Sequence, residues 1–278
     1  MKSGKRRASM IVFAVLALLP TLVAHGQPAP GKQILKTPLG TCYEVDPDFL
    51  PVIDSAVQNL RAEVRGQTSE KLIVYLSVPL TARGGGYRPL NVEISEFLKS
   101  RIEARFQNRV WVLAPGKAES ELPRVKGKSA QGGEYMYMWT KVLAGDDGNG
   151  KDFNLLFAAG PSEIKNFFGA PDDMPASLER YVEFRAKADS DFRDKIASIP
   201  EAKKRFLAYY TTKASVAFSD GSHDEWNIFV EINRRRRTDP KAFGLGEQIP
   251  IFFDGRSASP GEMEMKVSPG YEKNCPAN

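Results

Sequence analysis

The feature that most constrains this chain is an apolar run, an amphipathic stretch and a second apolar run in direct succession. Residues 72–78, Leu-Ile-Val-Tyr-Leu-Ser-Val, lack the alternation of a half-exposed strand and read as a strand covered on both faces. Pro79 ends the run, and Ile94, Phe97, Leu98, Ile102 and Phe106 then recur at helical spacing. Val110-Trp111-Val112-Leu113 supplies a second strand. Two strands bracketing one helix pair in parallel through a right-handed crossover. A core that begins this way commits the chain to the α/β class.

The alternation continues on both sides. Asp46-Pro47 makes a helix start, with Asp as N-cap and Pro in the first turn. Ile53, Ala56, Val57, Leu60 and Val64 then share one face, giving a helix to about Arg65. Residues 114–133 form a polar, Lys-rich loop that reads as a lid or as a simply mobile segment. Residues 134–143 fit strand or helix: Tyr135, Tyr137 and Trp139 alternate, while Met136 and Met138 suit a helix. Residues 153–158 read as a third strand, 214–218 as a fourth and 249–253 as a fifth, with helices at 176–197 and 201–210 and a short one opened by Gly160-Pro161-Ser162. The expected fold is an open, mainly parallel, doubly wound (flavodoxin-like) sheet of about five strands with helices on both faces. The expected partition is a signal peptide at 1–26, an N-terminal extension with one helix at 27–66, an α/β domain at 67–255 and a C-terminal tail at 256–278.

Lys2, Lys5, Arg6 and Arg7 precede a short apolar stretch, and Ala24-His25-Gly26 places small residues where a signal peptidase reads, so cleavage is expected before Gln27. This points to export into the periplasm or medium by the Sec route, with no stable membrane span after cleavage. The whole chain carries 39 Lys and Arg against 34 Asp and Glu; the leader holds four of the bases and no acid, leaving 35 to 34. Such a balance predicts no nucleic-acid partner. Cys42 and Cys275 lie near the two ends of the mature chain, and in an oxidising compartment they read first as a disulfide. The rival is a pair of free thiols, one of them catalytic. The sequence leaves the oligomeric state open.

In open α/β sheets ligands sit beyond the carboxyl ends of the strands. After the first strand comes Thr81-Ala82-Arg83-Gly84-Gly85-Gly86-Tyr87-Arg88, where glycines let backbone N–H groups approach an anion and two arginines flank them. It reads as a phosphate or sugar cradle, or as a flexible turn. After residues 214–218 comes Asp220-Gly221-Ser222-His223-Asp224-Glu225-Trp226-Asn227, with Glu231 one helical turn beyond Asn227. Four carboxylates here suit acid–base or covalent glycosyl chemistry. They equally suit a helix start, with Arg234 to Arg237 complementing its C-terminus. Ile228, Val230 and Ile232 also alternate, which leaves a strand open. Asp220, Ser222, Asp224 and Glu231 are spaced like calcium-loop ligands, but Glu225 stands where that loop needs Gly. His223 is the mature chain's one histidine, which excludes multi-histidine metal sites. No nucleophile elbow, Walker A loop or dinucleotide fingerprint occurs, so no cofactor is expected; no metal ligand is assigned, and whether the loop at 220–231 holds a metal is left open.

Three pieces together resemble the nucleoside 2-deoxyribosyltransferase family and its N-glycosidase relatives: Val74-Tyr75-Leu76-Ser77-Val78-Pro79 with its Gly/Arg loop, residues 216–232, and Ile249-Pro250-Ile251-Phe252-Phe253-Asp254. The resemblance implies a compact doubly wound sheet and cleavage of the bond between a sugar and a nucleobase. It implies Glu231 as the nucleophile, Tyr75 as the residue orienting it, and Asp220 or Asp224 serving the sugar hydroxyls or protonating the leaving base. Gly84, Gly85 and Gly86 would receive a 5′-phosphate if the substrate has one. Arg83, Arg88 and Asn227 are read from the sequence as further substrate-binding residues. The contrasting expectations are a non-catalytic periplasmic binding module for an anionic small molecule and a structural protein without a site.

Overall fold

The computed structural model describes residues 28–81, 83–116, 121–169, 173–238 and 247–276. The expected signal peptide and its cleavage point lie outside them.

Five strands form the main sheet: β3 (Leu72–Ser77), β4 (Val110–Leu113), β5 (Leu155–Ala158), β6 (Ile251–Phe253) and β7 (Arg256–Ser257). Their order is β4-β3-β5-β6-β7, parallel except for the β6–β7 hairpin. The parallel strands are wound 2-1-3-4, the flavodoxin-like order. From β3 the chain steps outward through α2 (Arg88–Arg105) to β4, then returns past β3 through α3 (Gly132–Ala144) to β5. Opposite steps with right-handed crossovers put α2 and α3 on opposite faces. The strand order therefore reverses between β3 and β5.

Alternation along β3 sorts the core. Ile73 and Tyr75 join α1 (Leu50–Gln67), α3 and α8 (Asp220–Thr238) in one apolar cluster. Val74 and Leu76 join α2, α4 (Pro161–Phe167), α5 (Met174–Ala188) and α7 (Pro200–Thr212) in the other. Between α5 and α7 lie the short α6 (Ser190–Phe192) and a π-helical turn, Arg193–Ala197, where one long helix was expected. The ambiguous 134–143 segment is helix α3, because Met136, Met138, Trp139, Val142 and Leu143 are all buried by a neighbouring helix layer.

The exposed side of β4 is blunted by α2: Lys99 Nζ donates to the Val112 carbonyl at 2.7 Å, and the Val112 N–H donates to Glu103 Oε1 at 3.0 Å. An edge strand with its outward backbone groups occupied is a poor template for further pairing.

The expected fourth strand, 214–218, is not one. α7 runs on to Thr212, and Val216–Phe218 curls into a 3-10 turn that leads into α8. The Val216 N–H donates at 3.1 Å to the Ala159 carbonyl just past β5, and β6 takes the place beside β5. The Phe218 and Ser219 N–H groups donate to the Ser215 and Val216 carbonyls, so the segment's backbone bonds close a turn rather than a ladder.

The flanking segments fold back together. β1 (Gln33–Lys36), β2 (Cys42–Val45) and β8 (Glu272–Lys273) form a second, antiparallel sheet in the order β1-β2-β8. Cys42 and Cys275 are joined by a disulfide, as expected, with Cα atoms 5.3 Å apart. Between β7 and β8 lies the short α9 (Pro260–Glu264). No helix among the described residues is long and apolar enough to cross a membrane.

Candidate functional site

A cleft of about 630 Å³ opens beyond the carboxyl ends of β3 and β4. That is room for a nucleoside-sized molecule. Its walls come from Val78 to Thr81 after β3, Pro115 after β4, the N-terminal turns of α3 and α8, and Tyr271 near the chain's end. Tyr135, Trp139, Tyr209, Phe218 and Tyr271 give it an aromatic lining.

At its floor lies the Glu225 carboxylate. Tyr75 Oη donates to Oε1 at 2.5 Å and Ser77 Oγ donates to Oε2 at 2.5 Å. Residues 73, 75 and 77 share one face of β3, so strand alternation places both hydroxyls under α8. Tyr75 is fully buried and its ring is fixed by Trp139 at 5.4 Å, Phe229 at 6.1 Å and Phe153 at 6.2 Å between centroids. Burial pushes the Glu225 carboxyl up to about 7, the neighbouring Asp224 charge adds to the rise, and the Ser77 and Tyr75 hydroxyls oppose it. Burial and the Glu225 charge in turn raise the Tyr75 phenol well above its ordinary value. The site thus holds a proton-poised carboxylate, oriented by two donors, in a cleft with aromatic walls.

No protein-family model matches this chain, and no curated protein or solved structure matches it.

The resemblance implied Tyr75 against Glu231; the Tyr75 hydroxyl donates to Glu225 instead. Glu231 does not line the cleft: Arg234 donates to it through Nε at 3.0 Å and Nη2 at 2.6 Å, with Arg235 at 3.5 Å and Lys266 at 3.9 Å. Burial pushes its carboxyl up, but the Arg234 bonds and the Arg234, Lys266 and Arg235 charges outweigh that and leave it below the ordinary value. Asp220 lines the cleft at the start of α8. Asp224 and Asn227 point instead at the C-terminal segment: Asp224 accepts the Gly270 and Tyr271 N–H groups at 2.8 and 2.7 Å, and Asn227 exchanges two hydrogen bonds with the Val267 backbone. Burial, offset by those N–H bonds, brings Asp224 to about 6.

Arg88 lines the cleft and is paired with Glu121. The Arg83 side chain lies outside the described residues. Gly84, Gly85 and Gly86 do not form a cradle in the cleft wall. Gly84 and Gly85 adopt positive φ, and a Cβ on Gly85 would collide with the Arg205 carbonyl of α7. Their freedom serves a close helix contact.

Asp220, Ser222, Asp224 and Glu231 sit on one continuous helix rather than a loop that could wrap an ion. Among the described residues no group of three or more His, Cys, Asp or Glu side chains is placed to hold a metal. The arginine run is committed internally: Arg235 and Arg236 donate to the carbonyls of Pro38, Asn149, Gly150 and Glu247, and Arg237 pairs with Glu264.

Glu225 and Ser77 were missed by spacing arguments, yet a signal was present. With a helix beginning at Asp220, residue 225 falls on the stripe of Ile228, Phe229 and Ile232, all essentially inaccessible. A carboxylate on a helix's apolar stripe needs buried donors, and β3 carries Tyr75 and Ser77 on the face that packs under α8.

Proposed function

We propose that the protein is an exported N-glycosidase or deoxyribosyltransferase-like enzyme acting on a nucleoside, nucleotide or related glycosidic compound, with Glu225 as the reacting carboxylate. One observation carries this reading: a buried carboxylate, clamped by Tyr75 and Ser77, forms the floor of an aromatic cleft beyond the carboxyl ends of β3 and β4. A glycosidic bond breaks through an oxocarbenium-like centre, which a carboxylate held at close range stabilises or captures. In its ionised form a Glu225 oxygen bonds to the anomeric carbon while the C–N bond breaks and its electron pair goes to the departing nitrogen. Asp220, the second α8 carboxylate on the cleft, is assigned to the sugar hydroxyls, and the departing nitrogen takes its proton from water. Water or a second base then releases the sugar from Glu225. The aromatic walls suit a planar leaving group. The disulfide agrees with an oxidising, extracytoplasmic compartment.

The test is a base-release assay on residues 27–278 with nucleosides, nucleotides and NAD, comparing wild type, Glu225→Gln and Glu231→Gln. Release by wild type and Glu231→Gln, reduced on the order of 10³-fold in Glu225→Gln, is the expected result. No release from any compound by folded protein overturns the reading. Ligand-dependent stabilisation without turnover would then establish a binding module instead.

A further inference from the structure

After α9 the chain passes along α8 as an extended strap, residues 265–271, before β8. It carries no ladder of its own over those residues, and its backbone is held by side chains of one helix. Trp226 Nε1 donates to the Met265 carbonyl at 2.9 Å, Asn227 brackets Val267, His223 Nδ1 lies 3.0 Å from the Ser268 carbonyl, and Asp224 takes the Gly270 and Tyr271 N–H groups. Beyond it, β8 pairs with β2 over only two residues, and the Cys42–Cys275 bond closes the attachment. At the strap's end Tyr271 turns into the cleft that Glu225 floors. Its ring lies on Gly132 at the first turn of α3, where any side chain would collide with it.

We propose that Tyr271 is a positioning residue of this cleft, and that the strap, stapled by Cys42–Cys275, sets access to Glu225. The polar face of α8 spends its carboxylate, amide, imidazole and indole on a segment whose one cleft-lining side chain is Tyr271. Without the staple, the two-residue ladder and the α8 side-chain bonds are left to hold the wall. The site is the same one on which the proposed function rests, but the test needs no turnover.

Residues 27–278 are prepared as wild type, Tyr271→Ala, Tyr271→Phe and Cys275→Ser. Glu225 is labelled with a carbodiimide and glycine ethyl ester, and the modified peptide is quantified by mass spectrometry with exposed Asp194 as reference. Amide exchange is followed across residues 265–273. Tyr271→Ala and Cys275→Ser are expected to speed Glu225 labelling roughly tenfold relative to Asp194, as local opening of the wall would. Tyr271→Phe keeps the ring and is expected to label like wild type. Cys275→Ser is also expected to speed exchange at Gly270 and Tyr271. Unchanged Glu225 labelling in folded Tyr271→Ala overturns the proposal, and that variant decides alone if Cys275→Ser does not fold. The expected labelling in a protein that releases no base leaves the strap standing and removes the glycosidase reading.

Discussion

Asp224 and Glu225 are consecutive residues of one helix whose carboxylates close different interfaces: Asp224 binds the backbone of Gly270 and Tyr271, and Glu225 binds the hydroxyls of Tyr75 and Ser77. One step along a helix rotates the side chain by about 100°. The first carboxylate therefore holds the wall of the cleft and the second forms its floor. Each is pushed up mainly by burial, and the Asp224 charge adds to the rise at Glu225.

Replacing Glu225 by Gln is expected to separate stability from activity. Its folded pKa of about 7 stands above the unfolded value of 4.5. The stability it contributes is full below the unfolded value and is lost as pH rises through about 7. The difference between the two ends of that window is about 3 kcal/mol. Urea unfolding from pH 4 to 8 should show wild type losing stability relative to Glu225→Gln across this range, while base release falls in the variant at every pH. Parallel curves for the two proteins would show that Glu225 titrates normally.

Tyr75→Phe should shift the pH dependence of activity upward. Attack needs ionised Glu225, so wild-type kcat/KM rises through about 7. The Tyr75 hydroxyl favours that ionised form, and removing it raises the carboxyl further and strands Oε1 in a buried site. The expected stability loss is about 1–3 kcal/mol. A pH–rate profile with an unmoved acid limb would sever the link between Tyr75 and Glu225 ionisation.

Glu231→Gln is expected to leave base release intact and to lower stability above the carboxylate range. Its folded pKa is depressed, so its contribution is present above the unfolded value and is lost as pH falls through the folded one. Chemical unfolding at pH 7 and pH 3 should show a deficit at the first and little at the second. Loss of activity without loss of stability would return Glu231 to the site.

How much of this was legible follows from which residues repeat with a simple period. β3, α2 and β4 were readable because Val74, Leu76, Ile94, Leu98, Val110 and Val112 pack on one another at strand and helix periods. The fold class came from that unit. Residues 214–218 misled because apolar content alone does not distinguish a strand from a buried turn. Glu231 misled because its spacing from Asn227 looked like a site, whereas Arg234 and Arg235, three and four residues on, were already its partners. Glu225 was obscured because it was read with its acidic neighbours rather than with Ile228, Phe229 and Ile232. Tyr271 lies 46 residues beyond Glu225, joined to the site by side-chain–backbone bonds that no local period announces.

The glycine loop supplies a final test. Gly85 has φ +114°, and a Cβ there would meet the Arg205 carbonyl, so Gly85→Ala strains the backbone and wedges α7 away. Backbone strain at such a position costs about 1–3 kcal/mol, and overpacking adds a similar amount. If the loop's role is this contact, the variant loses stability in thermal unfolding, and once folded at low temperature it keeps wild-type KM for phosphorylated and unphosphorylated substrates alike. A cradle for a 5′-phosphate makes the opposite forecast: KM rises for the nucleotide alone. The ratio of the two KM values in Gly85→Ala decides between helix packing and phosphate binding, because a global loss of stability moves both together.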